Sequence, residues 1–176
     1  SGRGGAASVG TDPGRGSAGV ASDYDDESDY DAAILDLDGT VYLGNRLIPG
    51  AERSVKTLRE VVSEVLFLTN KAISRRKDYS EKLQRLGIET TPGDVVNSGW
   101  VTARYVSEHY PDRTAFVVGE SPLLEEFREL GIETTTTAPG DLVVASMDRQ
   151  FDYEALDIAL RTLGDETPFL ATNPDR

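Results

Sequence analysis

Residues 32–45 read AAILDLDGTVYLGN, an apolar run that closes on two aspartates and a glycine. Successive side chains of a strand alternate between its faces, so Asp36 and Asp38 are expected on one side and Leu37 on the other. Two like charges on one face repel. A strand destined for burial tolerates such a pair when a cation lies between the carboxylates, or when each has its own task at an exposed strand end.

Beyond this stretch, apolar strand-like runs alternate with amphipathic helical ones: AAILDLD, AERSVKTLREVV, EVLFLTN, SRRKDYSEKLQRLG. Alternation of this kind predicts an α/β fold built from βαβ units on a parallel sheet. Tyr79, Leu83 and Leu86 keep the spacing of one buried helical face, and Gly87 supplies a left-handed stop. Gly44-Asn45 between apolar arms reads as a tight hairpin, a small flap beyond the aspartates. RLGIETTPGDVV is echoed by ELGIETTTTAPGDLVV, each a helix end at Gly, a short strand and a Pro-Gly turn. Ser121-Pro122 is expected to cap a helix burying Leu123, Leu124, Phe127 and Leu130, and Asp152 one burying Leu156, Ala159, Leu160 and Leu163. Strands AFVVG, DLVVASM and PFLATN flank them. The expected division is a Gly/Ser-rich and acidic disordered leader at 1–31, a first α/β unit at 32–90 and a second α/β unit at 91–176.

Composition excludes several classes. The 176 residues carry 31 acidic against 18 basic side chains, a formal charge of -13 that argues against a nucleic-acid partner, which a basic stripe would serve. With no cysteine there is no disulfide, thiolate metal site or cysteine nucleophile, which favours a cytoplasmic address. No run approaches the ~20 apolar residues of a membrane span, so no membrane partner is expected. Many acids with only four lysines resemble proteins of salt-loving organisms.

Ligands of open α/β sheets bind outside the carboxyl ends of the strands. Asp36, Asp38 and Gly39 end the first strand; Thr69 and Asn70 end the second. If the strands are neighbours, these groups form a pocket of two carboxylates, a hydroxyl, an amide and the N–H groups of a Gly turn, suited to a phosphate held against a divalent cation. A carboxylate can attack the phosphorus of a monoester and pass through an aspartyl-phosphate. A second carboxylate two residues on can protonate the leaving oxygen and then activate water. An EF-hand reading of DLDG fails, because the Glu its loop requires at position twelve is Leu47 here.

DLDGT at 36–40, the VYLGN flap, IPGA and FLTN at 67–70 resemble the haloacid dehalogenase superfamily of phosphohydrolases, in its NagD-like or p-nitrophenylphosphatase branch. NSG at 97–99, VVASMDRQFDYEAL at 143–156 and FLATNPD at 169–175 resemble that branch's cap. The resemblance implies a partial Rossmann-like core at 32–90 carrying an inserted α/β cap. It implies Asp36 as nucleophile, Asp38 as general acid and base, Thr69 as phosphate ligand, and Mg²⁺ held by the Asp36 carboxylate and the Asp38 backbone carbonyl. It also implies a small phosphorylated metabolite as substrate and the cap as the surface through which a homo-oligomer would form. The family's lysine and further acidic motif lie downstream of the cap. The chain, from Ser1 to Arg176, is therefore expected to be a truncated and weakly active or inactive portion of a phosphatase. Phosphotransfer to another acceptor and a non-catalytic phosphate-binding or regulatory remnant are the alternatives. Lys71, near Thr69, is expected to be an ordinary solvated lysine at a helix entry, the alternative being that it replaces the family's lysine. Arg75, Arg76 and Lys77 are expected either to answer an anion or to be solvated, and Asp148 and Arg149 to face the pocket or to form a surface salt bridge.

Overall fold

The computed structural model describes residues 30–174, so all but the last two residues of the expected leader lie outside it. The first unit is built on a three-stranded parallel sheet in which β1 (Ala32–Asp36) and β5 (Val95–Asn97) flank β4 (Glu64–Thr69). Strands β2 (Tyr42–Leu43) and β3 (Arg46–Leu47) pair antiparallel around Gly44, the expected flap. Helices α1 (Ala51–Val61) and α2 (Arg76–Arg85) cover one face, burying Val55, Tyr79 and Leu83 against Leu37, Val65, Phe67 and Val95. Among the described residues the other face carries no helix: Ile34 is 65% exposed and Leu68 43%. β1 is thus, among the described residues, an edge strand buried on one side only, where its apolar run reads as a strand destined for burial.

The second unit is a three-layer sandwich. Its parallel sheet has the order β7-β6-β8-β9, with β6 (Ala115–Val118), β7 (Thr134–Thr135), β8 (Leu142–Ala145) and β9 (Phe169–Ala171). Helices α3 (Ser98–His109) and α4 (Ser121–Glu129) bury Ala103, Val106, Leu123 and Phe127 against Val117 and Val144, while α5 (Tyr153–Thr162) packs Ile158 on Phe116 and Val143 from the opposite side. Ala72, from the loop after β4, is part of the first of these clusters and ties the units together.

Several local expectations shift. The strand at 95–97 joins the first sheet by pairing Phe67 with Val95 and Thr69 with Asn97, past the residue where the first unit was expected to end. The two echoed segments diverge after their glycines: Gly131 leads to β7, whereas Gly87 leads to a single 3-10 turn over Pro92–Asp94. The N-cap of α4 is Glu120 rather than Ser121. Asp152 caps α5 as expected, its carboxylate accepting the Ala155 N–H at 2.9 Å. The buried face of α5 is rotated, however: Ile158 and Thr162 point inward, and Leu160 is exposed.

Candidate active site

The two aspartates stand where the alternation places them. Leu37 is fully buried, and Asp36 and Asp38 on either side of it are exposed. The Leu37 N–H donates to the Leu68 carbonyl at 3.1 Å, continuing the β1–β4 ladder one residue past the strand. The carboxyl ends of β1 and β4 are therefore neighbours, as the pocket requires. After Asp38 the chain turns tightly: the Gly39 N–H donates to the Tyr42 carbonyl at 2.8 Å, with φ +88°. That conformation is costly for any residue with a Cβ. No atom lies within 4 Å of where a Gly39 Cβ would be, so backbone geometry and not crowding requires the glycine.

Thr69, aligned with Leu37 one step beyond the Asp36–Leu68 pair, is buried at 2% exposure. Its hydroxyl accepts the Lys71 N–H at 3.3 Å. Beneath it, Tyr79 donates to the Lys71 carbonyl at 3.3 Å. Burial first, and Asp38 second, push the Tyr79 phenol up to about 12, although hydrogen bonds with Ser74 and Thr69 pull the other way. Burial and the same aspartate also hold the Tyr42 phenol far above its ordinary range.

Lys71 departs from the sequence reading. Its ammonium lies 3.0 Å from the Asp38 Oδ2, with both side chains partly exposed. The Asp38 carboxylate therefore faces a lysine, while the Asp36 carboxylate has no ion-pair partner among the described residues.

The loop from Asn70 to Ser74 is pinned from the next strand and helix. The Ser98 hydroxyl donates to the Asn70 carbonyl at 2.7 Å, and the Asn97 amide to the Ser74 carbonyl at 2.8 Å while its oxygen caps α3. Beyond the loop, a cleft of about 500 Å³ separates Asn70, Lys71 and Ile73 from Ser146, Met147 and Thr172 at the carboxyl ends of β8 and β9. The loop is also clamped from α4. Arg75 pairs with Glu125 at 2.7 Å and with Glu129, and the Arg76 N–H donates to the buried Glu126 carboxylate at 3.1 Å. The anions answered by the Arg75 guanidinium are thus glutamates of the second unit, whereas the Arg76 guanidinium lies over the Trp100 ring, 4.3 Å from its centre. Asp148 and Arg149 resolve as a surface arrangement: Arg149 grips Glu120 through two bonds of 2.6 and 2.7 Å, which holds that carboxyl below its ordinary range.

Sequence reasoning missed Lys71, Asn97 and Ser98 as parts of the site. The NSG and LTNK stretches that contain them were the available signal.

With the site in view, residues 33–133 match the family model of the haloacid dehalogenase-like hydrolases. The chain belongs to that family. It is 36% identical over 144 residues to the sugar-phosphatase AraL of Bacillus subtilis, a match covering 81% of this chain and 53% of that protein. Among solved structures it is similar to a 4-nitrophenylphosphatase of Thermotoga maritima (TM-score 0.76, 32% identity, 82% of this chain and 55% of that one). It also resembles a glycerol phosphate phosphatase of Mycobacterium tuberculosis solved with magnesium (TM-score 0.73, 28% identity, 82% and 44%). The chain spans about half the length of the curated relatives it matches. The NagD-like branch and the α/β fold expected from the sequence both stand. Among the described residues no helix is long and apolar enough to cross a membrane.

Proposed function

We propose that this chain carries the nucleophile half of a phosphoric monoester hydrolase acting on small phosphorylated metabolites. The observation that supports it most is the placement of Asp36 and Asp38 on either side of buried Leu37, at a strand end adjoining that of Thr69. In this reading an Asp36 carboxylate oxygen bonds to phosphorus as the ester P–O bond breaks, with Asp38 delivering a proton to the leaving oxygen. Asp38 then takes a proton from the water that cleaves the acyl phosphate and regenerates Asp36. The Thr69 hydroxyl and the Gly39 turn hold phosphoryl oxygens, and the Asn70 loop positions Thr69. The Lys71 ammonium, beside Asp38, offsets the negative charge that a phosphate adds to two carboxylates.

The relatives' names support the substrate class, and the mycobacterial structure with magnesium supports Mg²⁺ as cofactor. The donors fit such an ion. Asp36 offers an exposed carboxylate with no ion-pair partner among the described residues and Asp38 a backbone carbonyl, hard oxygens of the kind Mg²⁺ takes while keeping several waters and substrate oxygens. When bound there, the ion neutralises phosphoryl charge. Residues up to Asn97 form the core portion and those from Ser98 the cap, whose cleft beside the Asn70 loop receives the leaving group. A cytoplasmic address and self-association through the cap belong to the same reading. The latter is supported by the outward-facing Tyr153 and Leu160 of α5.

The alternative is a non-catalytic phosphate-binding or regulatory remnant of such an enzyme. Magnesium-dependent release of phosphate from p-nitrophenyl phosphate separates the two. Turnover abolished by Asp36→Asn supports the enzyme. Phosphate binding with no turnover in the unsubstituted chain supports the remnant.

A further inference from the structure

A second cavity, of about 260 Å³, opens beside Asp38 and is lined by Tyr42, Lys71, Tyr79, Lys82 and Arg85 as well. Its charges are unevenly matched. Lys71 is paired with Asp38, and the Asp78 carboxylate accepts the backbone N–H of Arg75 at 2.9 Å. Lys82 and Arg85, one turn apart on α2, have no ion-pair or hydrogen-bond partner among the described residues. The Lys82 ammonium sits 3.5 Å from the centre of the Tyr42 ring. Burial lowers its pKa, and the positive charges of Lys71 and Arg85 add to that effect against the opposing pull of Asp38. The Tyr42 hydroxyl is buried, at 1% exposure for the residue, and makes no hydrogen bond among the described residues. A buried hydroxyl without a partner is costly to a protein folded for its own stability alone, and two unpaired cations, Lys82 half-buried and Arg85 exposed, border the same cavity. An anion supplies what all three lack.

We propose that this cavity is a subsite for a second anionic group, phosphate or carboxylate, on the ligand whose phosphoryl group meets Asp36. The Tyr42 hydroxyl, the Lys82 ammonium and the Arg85 guanidinium are its donors. The inference rests on the phosphatase reading only for the position of the first anion. Asp38 is the wall the two sites share, so one small ligand reaches both. The natural ligand is then a phosphorylated compound carrying a further acidic group, and not a singly phosphorylated neutral sugar.

The test compares paired ligands by isothermal titration calorimetry on the chain carrying Asp36→Asn, which cannot accept a phosphoryl group. The pairs are 6-phosphogluconate against glucose 6-phosphate, and fructose 1,6-bisphosphate against fructose 6-phosphate. A charge-assisted set of hydrogen bonds predicts that the second anion tightens binding about tenfold to hundredfold. Lys82→Gln and Tyr42→Phe, each in that background, are expected to shrink the ratio while leaving the singly charged partner's affinity unchanged. A gain in only one pair identifies the preferred anion, carboxylate or phosphate, and supports the subsite. Inorganic phosphate that displaces the singly charged ligands but leaves the gain intact also supports it, because the second anion is then recognised as part of the ligand. Equal affinities within both pairs, a ratio that survives both substitutions, or no binding of any ligand overturns the proposal. p-Nitrophenyl phosphate has no second anion, so its hydrolysis by the unsubstituted chain reports on the phosphatase reading independently.

Discussion

Gly39 and Gly131 form a matched pair for separating fold from function. Both have positive φ, +88° and +73°, and at neither would an added Cβ meet an atom within 4 Å. Gly39→Ala and Gly131→Ala therefore carry only the backbone penalty of a left-handed L-residue, about 1–2 kcal/mol. The lost freedom of the unfolded chain returns about 0.4–1 kcal/mol. Each variant is expected to lose about 1 kcal/mol, a fall in Tm of about 2–4 °C at this chain length. Their activities should part. The Gly39 turn holds the backbone beside Asp38 through its 2.8 Å bond to Tyr42, and a methyl there occupies the open space assigned to a phosphoryl group. Gly131 ends α4 in the second unit. Hydrolysis of p-nitrophenyl phosphate is expected to drop about tenfold to hundredfold in Gly39→Ala, the scale of a small misplacement of reacting groups, and to be unchanged in Gly131→Ala. Thermal unfolding followed by circular dichroism gives the stabilities. A loss above about 3 kcal/mol at Gly39 reveals a steric clash that the open space denies. Full activity in Gly39→Ala removes the turn from the site.

Two further outcomes follow from the clamp and from the buried phenols. Arg75→Ala leaves Glu125 and Glu129 facing each other without their shared cation and is expected to cost about 1–3 kcal/mol in urea unfolding; Arg75→Lys recovers part of it, and a neutral result for Arg75→Ala refutes the clamp. Tyr79 titrates near 10 when unfolded and near 12 when folded, so the folded state holds the proton more tightly. Its contribution is whole below pH 10 and is lost as pH rises through 12. The unfolding midpoint is expected to fall across that window, and less steeply in Tyr79→Phe. An identical slope in the variant contradicts the assignment.

What was legible in the sequence was local. The hairpin at Gly44-Asn45, the Asp152 cap and the stops at Gly87 and Gly131 follow from turn and cap chemistry within a few residues, and each appears. The meeting of Asp36 with the Thr69 strand end followed from βα alternation, because consecutive parallel strands tend to pair. What was not legible depends on partners distant in sequence. The apolar run of β1 gives no sign that Ile34 has no covering helix. Leu156 and Leu160 keep helical spacing, yet α5 buries Ile158 and Thr162, because the sheet beneath it and not the period decides which stripe faces in. Arg75 meets Glu125 across 50 positions, and Lys71 reaches Asp38 across a strand end, contacts that no spacing rule encodes. Glu126, a charged residue beside the apolar positions of α4, is buried, its carboxylate accepting the Arg76 amide N–H.

The account turns on a covalent bond between phosphorus and Asp36. Rapid-quench mass spectrometry of the chain with p-nitrophenyl phosphate and Mg²⁺, with Asp38→Asn used to slow breakdown, reads it directly. The account predicts one added phosphoryl group on the peptide that contains Asp36 and none in Asp36→Asn. A phosphoryl group on any other residue, or phosphate release that persists in Asp36→Asn, contradicts it.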